Sequence, residues 1–148
     1  MNDLRVQTVD DDASIRDWQY VHNVIIPGDE LSLDDVRTRT GRNLMEVVYV
    51  GDALVGCTTV RPPTMDNGAT ATVIVRVLPE HRRRGLGARL YERALGQARA
   101  LDAEVIETVV LASNPDGLRF AERHGFIELE RYLLREGDTV PWIDLRLS

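Results

Sequence analysis

Val73-Ile-Val-Arg-Val-Leu-Pro-Glu-His-Arg-Arg-Arg-Gly-Leu-Gly-Ala88 is the stretch on which the fold turns. It reads as a buried strand, a short turn and the entrance of a long helix. Val73, Ile74, Val75 and Val77 are β-branched and suit a strand covered on both faces. Pro79 cannot donate to a ladder and ends the strand. Gly85 and Gly87 follow at the helix entrance, where glycine admits φ > 0 and lets a ligand approach the backbone. The open amides of a first helical turn, at the positive end of the helix dipole, form an anion site. Arg82, Arg83 and Arg84 ring that site with positive charge. The outline is a cradle for a pyrophosphate; the plainer alternative is a basic helix N-terminus after a turn.

The surrounding composition narrows the partners. The chain has 148 residues and one cysteine, Cys57, so no internal disulfide forms and a reducing, cytoplasmic setting is expected. Net charge is −6, which argues against nucleic-acid binding through the overall field. All 18 cationic side chains other than histidine are arginine, so the triplet is a local site, not part of a basic face. No apolar run approaches a membrane span, and Met1-Asn-Asp-Leu-Arg5 lacks the pattern of a signal peptide. No His/Cys cluster has metal-ligand spacing, so no metal site is expected. There is no G-x-x-x-x-G-K-S/T, and no G-x-G-x-x-G with an acidic partner, so neither common nucleotide loop applies.

Outward from the central stretch, alternation predicts a first strand over Leu4–Val9. Asp10, Asp11 and Asp12 suit a helix entry, with Ile15, Trp18, Val21 and His22 at helical spacing behind them. Ile25–Glu30 reads as a loop, and Ser32 as the cap of a short helix ending at Gly41. Leu44–Val50 and Ala53–Val60 form a hairpin about Gly51-Asp52. Pro62-Pro63 and Asp66-Asn-Gly68 make the next connection, and Ala69–Leu78 is the central strand. A helix over about Arg83–Leu101 carries Leu86, Leu90, Ala94, Leu95 and Ala98 on one stripe. Val105–Leu111 is a buried strand. Asn114-Pro-Asp-Gly117 opens a shorter helix that Gly125 stops. Phe126–Leu133 and Val140–Leu147 are the last two strands. No repeat, low-complexity segment or linker divides residues 1–148, so one domain is expected.

The segment Arg82-x-x-Gly85-x-Gly87-Ala88 resembles the R/Q-x-x-G-x-G/A motif of the GNAT N-acetyltransferase superfamily, which holds the pyrophosphate of acetyl-CoA. Asn114, Gly125 and Phe126 match that family's N-x-x-A-x-x-x-Y-x-x-x-G-F segment, with Gly117 in place of its alanine. The element order β-α-α-β-β-β-α-β-α-β-β also resembles the family's. The resemblance implies an α/β (α+β) fold: a mixed sheet of about seven strands with four helices, strands four and five parallel and splayed. It implies acetyl-CoA as cosubstrate and direct acyl transfer to an amine of a small molecule or peptide, and it leaves a homodimer open. Carried over residue by residue, the main chain of Val75, Arg76 and Val77 bonds the pantetheine, and the Val75 N–H is the oxyanion donor. Arg82, Arg83, Arg84, Gly85, Leu86, Gly87 and Ala88 hold the phosphates. Asn114 and Phe120 line the CoA arm.

Two positions depart from that pattern. The family's tyrosine acid falls on Ala121, and the histone-type glutamate falls on Ala71. Glu107 and His22 are the substitute acid–base candidates, against the plainer readings of an arginine-paired strand carboxylate and a packed histidine. Asp29 and Glu30, on the acceptor wall that the resemblance implies, could attract a cationic amine; a solvated turn is the plainer reading. His81 could assist phosphate binding, and His124 suits a helix C-terminus. Cys57, with no histidine beside it, reads as an inert buried thiol. Two functions therefore stand: an acyl-CoA-dependent N-acyltransferase, and a CoA-binding sensor or partner module that has lost transfer.

Overall fold

A seven-stranded sheet in the order β1-β2-β3-β4-β5-β7-β6 carries the chain, with helices on both faces. The computed structural model describes residues 4–66 and 68–148; the N-terminal Met-Asn-Asp and Asn67 of the expected turn lie outside the described residues. β1 (Leu4–Thr8) leads to α1 (Asp12–Ile25), a 3-10 turn at Pro27–Asp29, and α2 (Leu33–Thr40). β2 (Leu44–Val50), β3 (Ala53–Arg61) and β4 (Thr70–Val77) follow as an antiparallel meander. A second 3-10 turn, Pro79–His81, precedes α3 (Leu86–Ala100), β5 (Val105–Leu111), α4 (Pro115–Arg123), β6 (Phe126–Tyr132) and β7 (Trp142–Leu147).

The local signals act as their chemistry dictates. Asp11 caps α1 by accepting from the Ser14 amide at 2.8 Å, and Ser32 caps α2 by accepting from the Asp35 amide at 3.1 Å. Asn114 caps α4 through the Gly117 amide at 3.2 Å. A β-carbon on Gly117 would meet Asn114 Nδ2 at 2.6 Å, so alanine here would push the capping side chain from its present position. The stripe of α3 is buried as expected, Leu86, Leu90, Ala94, Leu95 and Ala98 all lying against the sheet. Each leucine contributes roughly 1.5–3 kcal/mol by leaving water, which outweighs the ~1 kcal/mol cost of Gly96 inside the helix.

Side chains alternate across the sheet and make two cores. Val73 packs with Tyr91, Ala94, Leu95 and Ala98 under α3, together with Ile143 and Leu145 of β7. On the opposite face Trp18, Val21 and Val36 of α1 and α2 pack on Met45, Val47 and Cys57. β4 and β5 are parallel, and their register stops after Thr70–Val105, Ala71–Ile106 and Thr72–Glu107. Beyond Thr72 the strands splay, and the upper half of β4 keeps only β3 as a partner. That opening positions the site.

Candidate active site

The parity of β4 decides which main-chain groups face the opening. The Leu78 amide donates to Val55 of β3 at 2.8 Å, and the Ala69 carbonyl accepts from Val105 at the start of β5. Along an extended strand alternate residues bond to opposite neighbours. Even-numbered residues therefore face β3, and odd-numbered residues face β5 or, above Thr72, the splay. The Val75 N–H and carbonyl, and the Val77 N–H, point into the opening with no strand partner. Arg76, paired with Cys57, spends its main chain on β3. This differs from the expectation that all three residues are free to bond a ligand through the backbone: the Arg76 main chain is taken by β3, and Arg76 lines the opening. The Val77 carbonyl is also taken, accepting from Arg82 Nε at 2.9 Å.

At the mouth of the opening, α3 begins at Leu86, three residues later than the apolar pattern predicts. Arg83 and Gly85 both adopt left-handed φ, +65° and +76°, and these turns aim the chain into the helix. Gly85 is the N-cap with no capping side chain, and the first internal bond runs from the Arg89 amide to its carbonyl. The amides of Leu86, Gly87 and Ala88 are thus left open toward the cleft. A β-carbon on Gly87 would meet Phe120 Cε1 at 3.1 Å, so glycine lets α3 and α4 close on one another there. The Leu86 side chain belongs to the core with Val48, Val55 and Leu90. Arg82 bridges to Asp116 at 3.2 Å, tying β4 to α4.

The cleft between β4, β5, α3 and α4 has a volume of about 480 Å³. Val75, Val77, Arg82, Arg83, Gly85, Gly87, Ala88, Asn114 and Phe120 all line it, whereas Arg84 does not. Its far wall is aromatic, with Tyr91, which the sequence did not single out, joining Phe120 and His124. Tyr91 and Phe120 meet edge to face at 6.2 Å, and His124 tilts against both at 4.7 and 4.3 Å. The spacing Gly87–Tyr91–Leu95 put Tyr91 on the buried stripe and was the available signal. Ala121, 4% exposed, presents a methyl group to the same cleft.

A second cavity, about 120 Å³, lies on the α1–α2 face and shares Ile74, Arg76 and Val109 with the first. His22 lines it, stacked on Trp18 at 5.4 Å, with Nε2 donating to the Asp29 carbonyl at 2.9 Å. That bond leaves Nδ1 as a bare, buried lone pair. Burial, with the nearby Arg76 charge, depresses the His22 pKa to about 4. Asp29 also lines this cavity; it is not a solvated turn residue, being 9% exposed and ion-paired with Arg135 at 2.9 Å. Glu30 is exposed and lines neither cavity. Glu107 is held by Arg146 at 2.6 Å and also lies outside both, at the last paired rung below the splay. His81 lies in the 3-10 turn, off the cleft wall. Ala71 is fully buried beneath α3. Burial pushes the Cys57 thiol up to about 12, so it is inert at neutral pH. No helix among the described residues is long and apolar enough to cross a membrane.

Comparison with known proteins bears on the fold and the family. A search of the curated proteins finds no match. Solved structures match across nearly the whole chain at low identity. The N-acetyltransferase from Staphylococcus aureus Mu50 aligns with TM-score 0.75 at 13% identity, covering 98% of both chains. The structure of yncA from Salmonella typhimurium with its cofactor acetyl-CoA aligns with TM-score 0.72 at 18% identity, covering 97% of this chain and 92% of that one. The Bacillus subtilis acetyltransferase in complex with CoA gives 0.69 at 18%, covering 97% of each. At these identities the likeness establishes the fold. The family model described as "Acetyltransferase (GNAT) family" matches residues 12–126, which takes in the cradle, the splay and the Asn114–Phe126 segment. The chain belongs to the GNAT acetyltransferase family.

Proposed function

We propose that this protein transfers an acetyl group from acetyl-CoA to an amine by direct attack. One observation carries the reading: the splay leaves Val75 on the wall of the first cavity, between Ile74 and Arg76, which border both cavities, with an uncapped helix N-terminus at one mouth. The pyrophosphate is read onto the amides of Leu86, Gly87 and Ala88, with Arg83 and the turn amides of Arg84 and Gly85 beside them. The pantetheine is read along the Val75 carbonyl and the Val77 N–H. The cavity on the α1–α2 face is read as the acceptor side.

In the reaction the amine nitrogen attacks the thioester carbonyl carbon, the C–N bond forms, the C–S bond breaks, and the sulfur departs with the electron pair. The negative charge on the carbonyl oxygen falls on the Val75 N–H, which is fixed by the strand before reaction and needs no reorganisation. The leaving group is a thiol, far more acidic than an amine or an alcohol, and departs as thiolate at modest cost. A strong acid is therefore not required at Ala121. His22 stays neutral at pH 7 and offers Nδ1 as a hydrogen-bond acceptor. Its low basicity suits it to orienting an amine, and the proton passes on to solvent. Glu107, engaged by Arg146, is given no part.

Ala121 favours a second reading, a CoA-binding module without turnover, because the cleft offers a methyl group where many relatives place a proton donor. Release of free thiol from acetyl-CoA, followed against a broad amine panel, separates the two. Acceptor-dependent release supports transfer. Protection of the fold by acetyl-CoA with no release from any acceptor supports the binding module.

A further inference from the structure

The acceptor-side cavity carries the wrong charge for a simple cationic amine. Arg39 of α2, Arg61 at the end of β3 and Arg76 of β4 all line it. None of the three takes part in an ion pair among the described residues. The carboxylate on this wall, Asp29, is engaged by Arg135. Asp144 nearby accepts from the Tyr132 hydroxyl at 2.9 Å. His22 is neutral and adds no negative charge. Arg76 is only 9% exposed and Arg39 is half-buried, and burial lowers the pKa of both; Arg61 lines the cavity from an exposed position. Two unpaired guanidinium groups held partly out of water beside a third, in a protein of net charge −6, are an arrangement that a bound anion relieves.

The position of this cluster limits what the anion belongs to. Arg76 borders both cavities, one residue from Val75. The cavity of about 120 Å³ holds about four waters at ~30 Å³ each, room for a small planar anion and the carbon that bears it. Guanidinium forks match carboxylates in shape as well as charge. We propose that the acceptor carries a carboxylate next to its amine, as an α-amino acid does, and that Arg39, Arg61 and Arg76 seat it. The proposal rests on the cleft being an acetyl-transfer site, and it reverses the expectation that Asp29 and Glu30 attract a bare amine.

The test uses matched acceptors: alanine, methionine and glutamate, their α-carboxamides, and their decarboxylated amines. Thiol release from acetyl-CoA is expected with the acids, with kcat/KM about tenfold or more lower for the carboxamides and amines. Arg39→Gln and Arg61→Gln should each raise KM for the acid about fivefold or more and leave KM for acetyl-CoA unchanged. Carboxamides or plain amines that match the acids, or variants with unaltered acceptor KM, overturn the proposal. If no acceptor turns over, melting temperatures with CoA plus N-acetylated acids, or plus their amides, decide the matter. Greater protection by the acids retains the carboxylate seat while the transfer reading falls. Equal melting temperatures, with acetyl-CoA still protective, overturn the seat alone.

Discussion

Replacing the Val75 peptide by an ester deletes one hydrogen atom and keeps the side chain. The substitution installs the α-hydroxy acid analogue of valine, so the N–H that faces the splay becomes an oxygen. The β4 ladder to β3 runs through even-numbered residues, so it is not broken. Stability should change by less than ~1 kcal/mol, a shift of about 2–4 °C at most for a chain of this length. Catalysis should change far more. A single backbone donor to a developing oxyanion is worth ~2.7–4 kcal/mol, so kcat should fall about 10²–10³-fold. The affinity for CoA, which lacks the thioester, should hold within a few-fold. The ester at Arg76 is the control, since its N–H faces β3. It should cost about 1 kcal/mol of stability and leave kcat within a few-fold. Thiol release and thermal melts on both proteins read the result. A Val75 ester with near-normal kcat, or an Arg76 ester with the larger catalytic loss, refutes the assignment of strand parity and of the oxyanion donor.

Other outcomes follow from the same geometry. Ala121→Tyr places a ring where a buried methyl group now lines the cleft, so acetyl-CoA affinity should weaken and kcat should stay level or fall; a variant that binds CoA normally and gains thiol release would favour the CoA-binding module. His22 is held neutral down to about pH 4 when folded and protonates near 6.5 when unfolded. The unfolded chain therefore binds more protons across that window, and stability should fall as pH drops from about 6.5 toward 4, by up to ~3 kcal/mol. His22→Gln should flatten this part of the stability profile in denaturant titrations, and an unchanged slope would show that other groups govern it.

The cradle was legible because it is local: one strand, one proline, two glycines and three arginines adjoin in sequence. The start of α3 was not, because an apolar stripe does not reveal that Arg83 and Gly85 turn left-handed before the helix. The splay itself followed only from the family resemblance; no residue of β4 announces that pairing ends at Thr72. Strand parity, which removes the Arg76 main chain from the ligand, needs a fixed hydrogen bond such as Leu78 to Val55. The arginine cluster was invisible for a related reason. Arg39, Arg61 and Arg76 lie on three separate elements and share no motif, and each alone reads as a solvated charge. Their unpaired state appears only when tertiary structure sends Asp29 to Arg135. Glu107 shows the converse: its alternation on β5 permitted a place in the splay, and the neighbouring β7 supplied Arg146 to claim it.

The central claim is that CoA enters the splay with its pyrophosphate on the first turn of α3. A calorimetric titration of CoA into the wild type and into Gly87→Glu tests it most directly. The substituted carboxylate would stand at the open amides and repel the phosphates, and its β-carbon would press on Phe120 at 3.1 Å. A melt of the unliganded variant shows whether it remains folded. Saturable binding to the wild type, and none detectable to a folded Gly87→Glu, is the expected result. Equal CoA affinity in the two proteins would contradict it and place the ligand elsewhere.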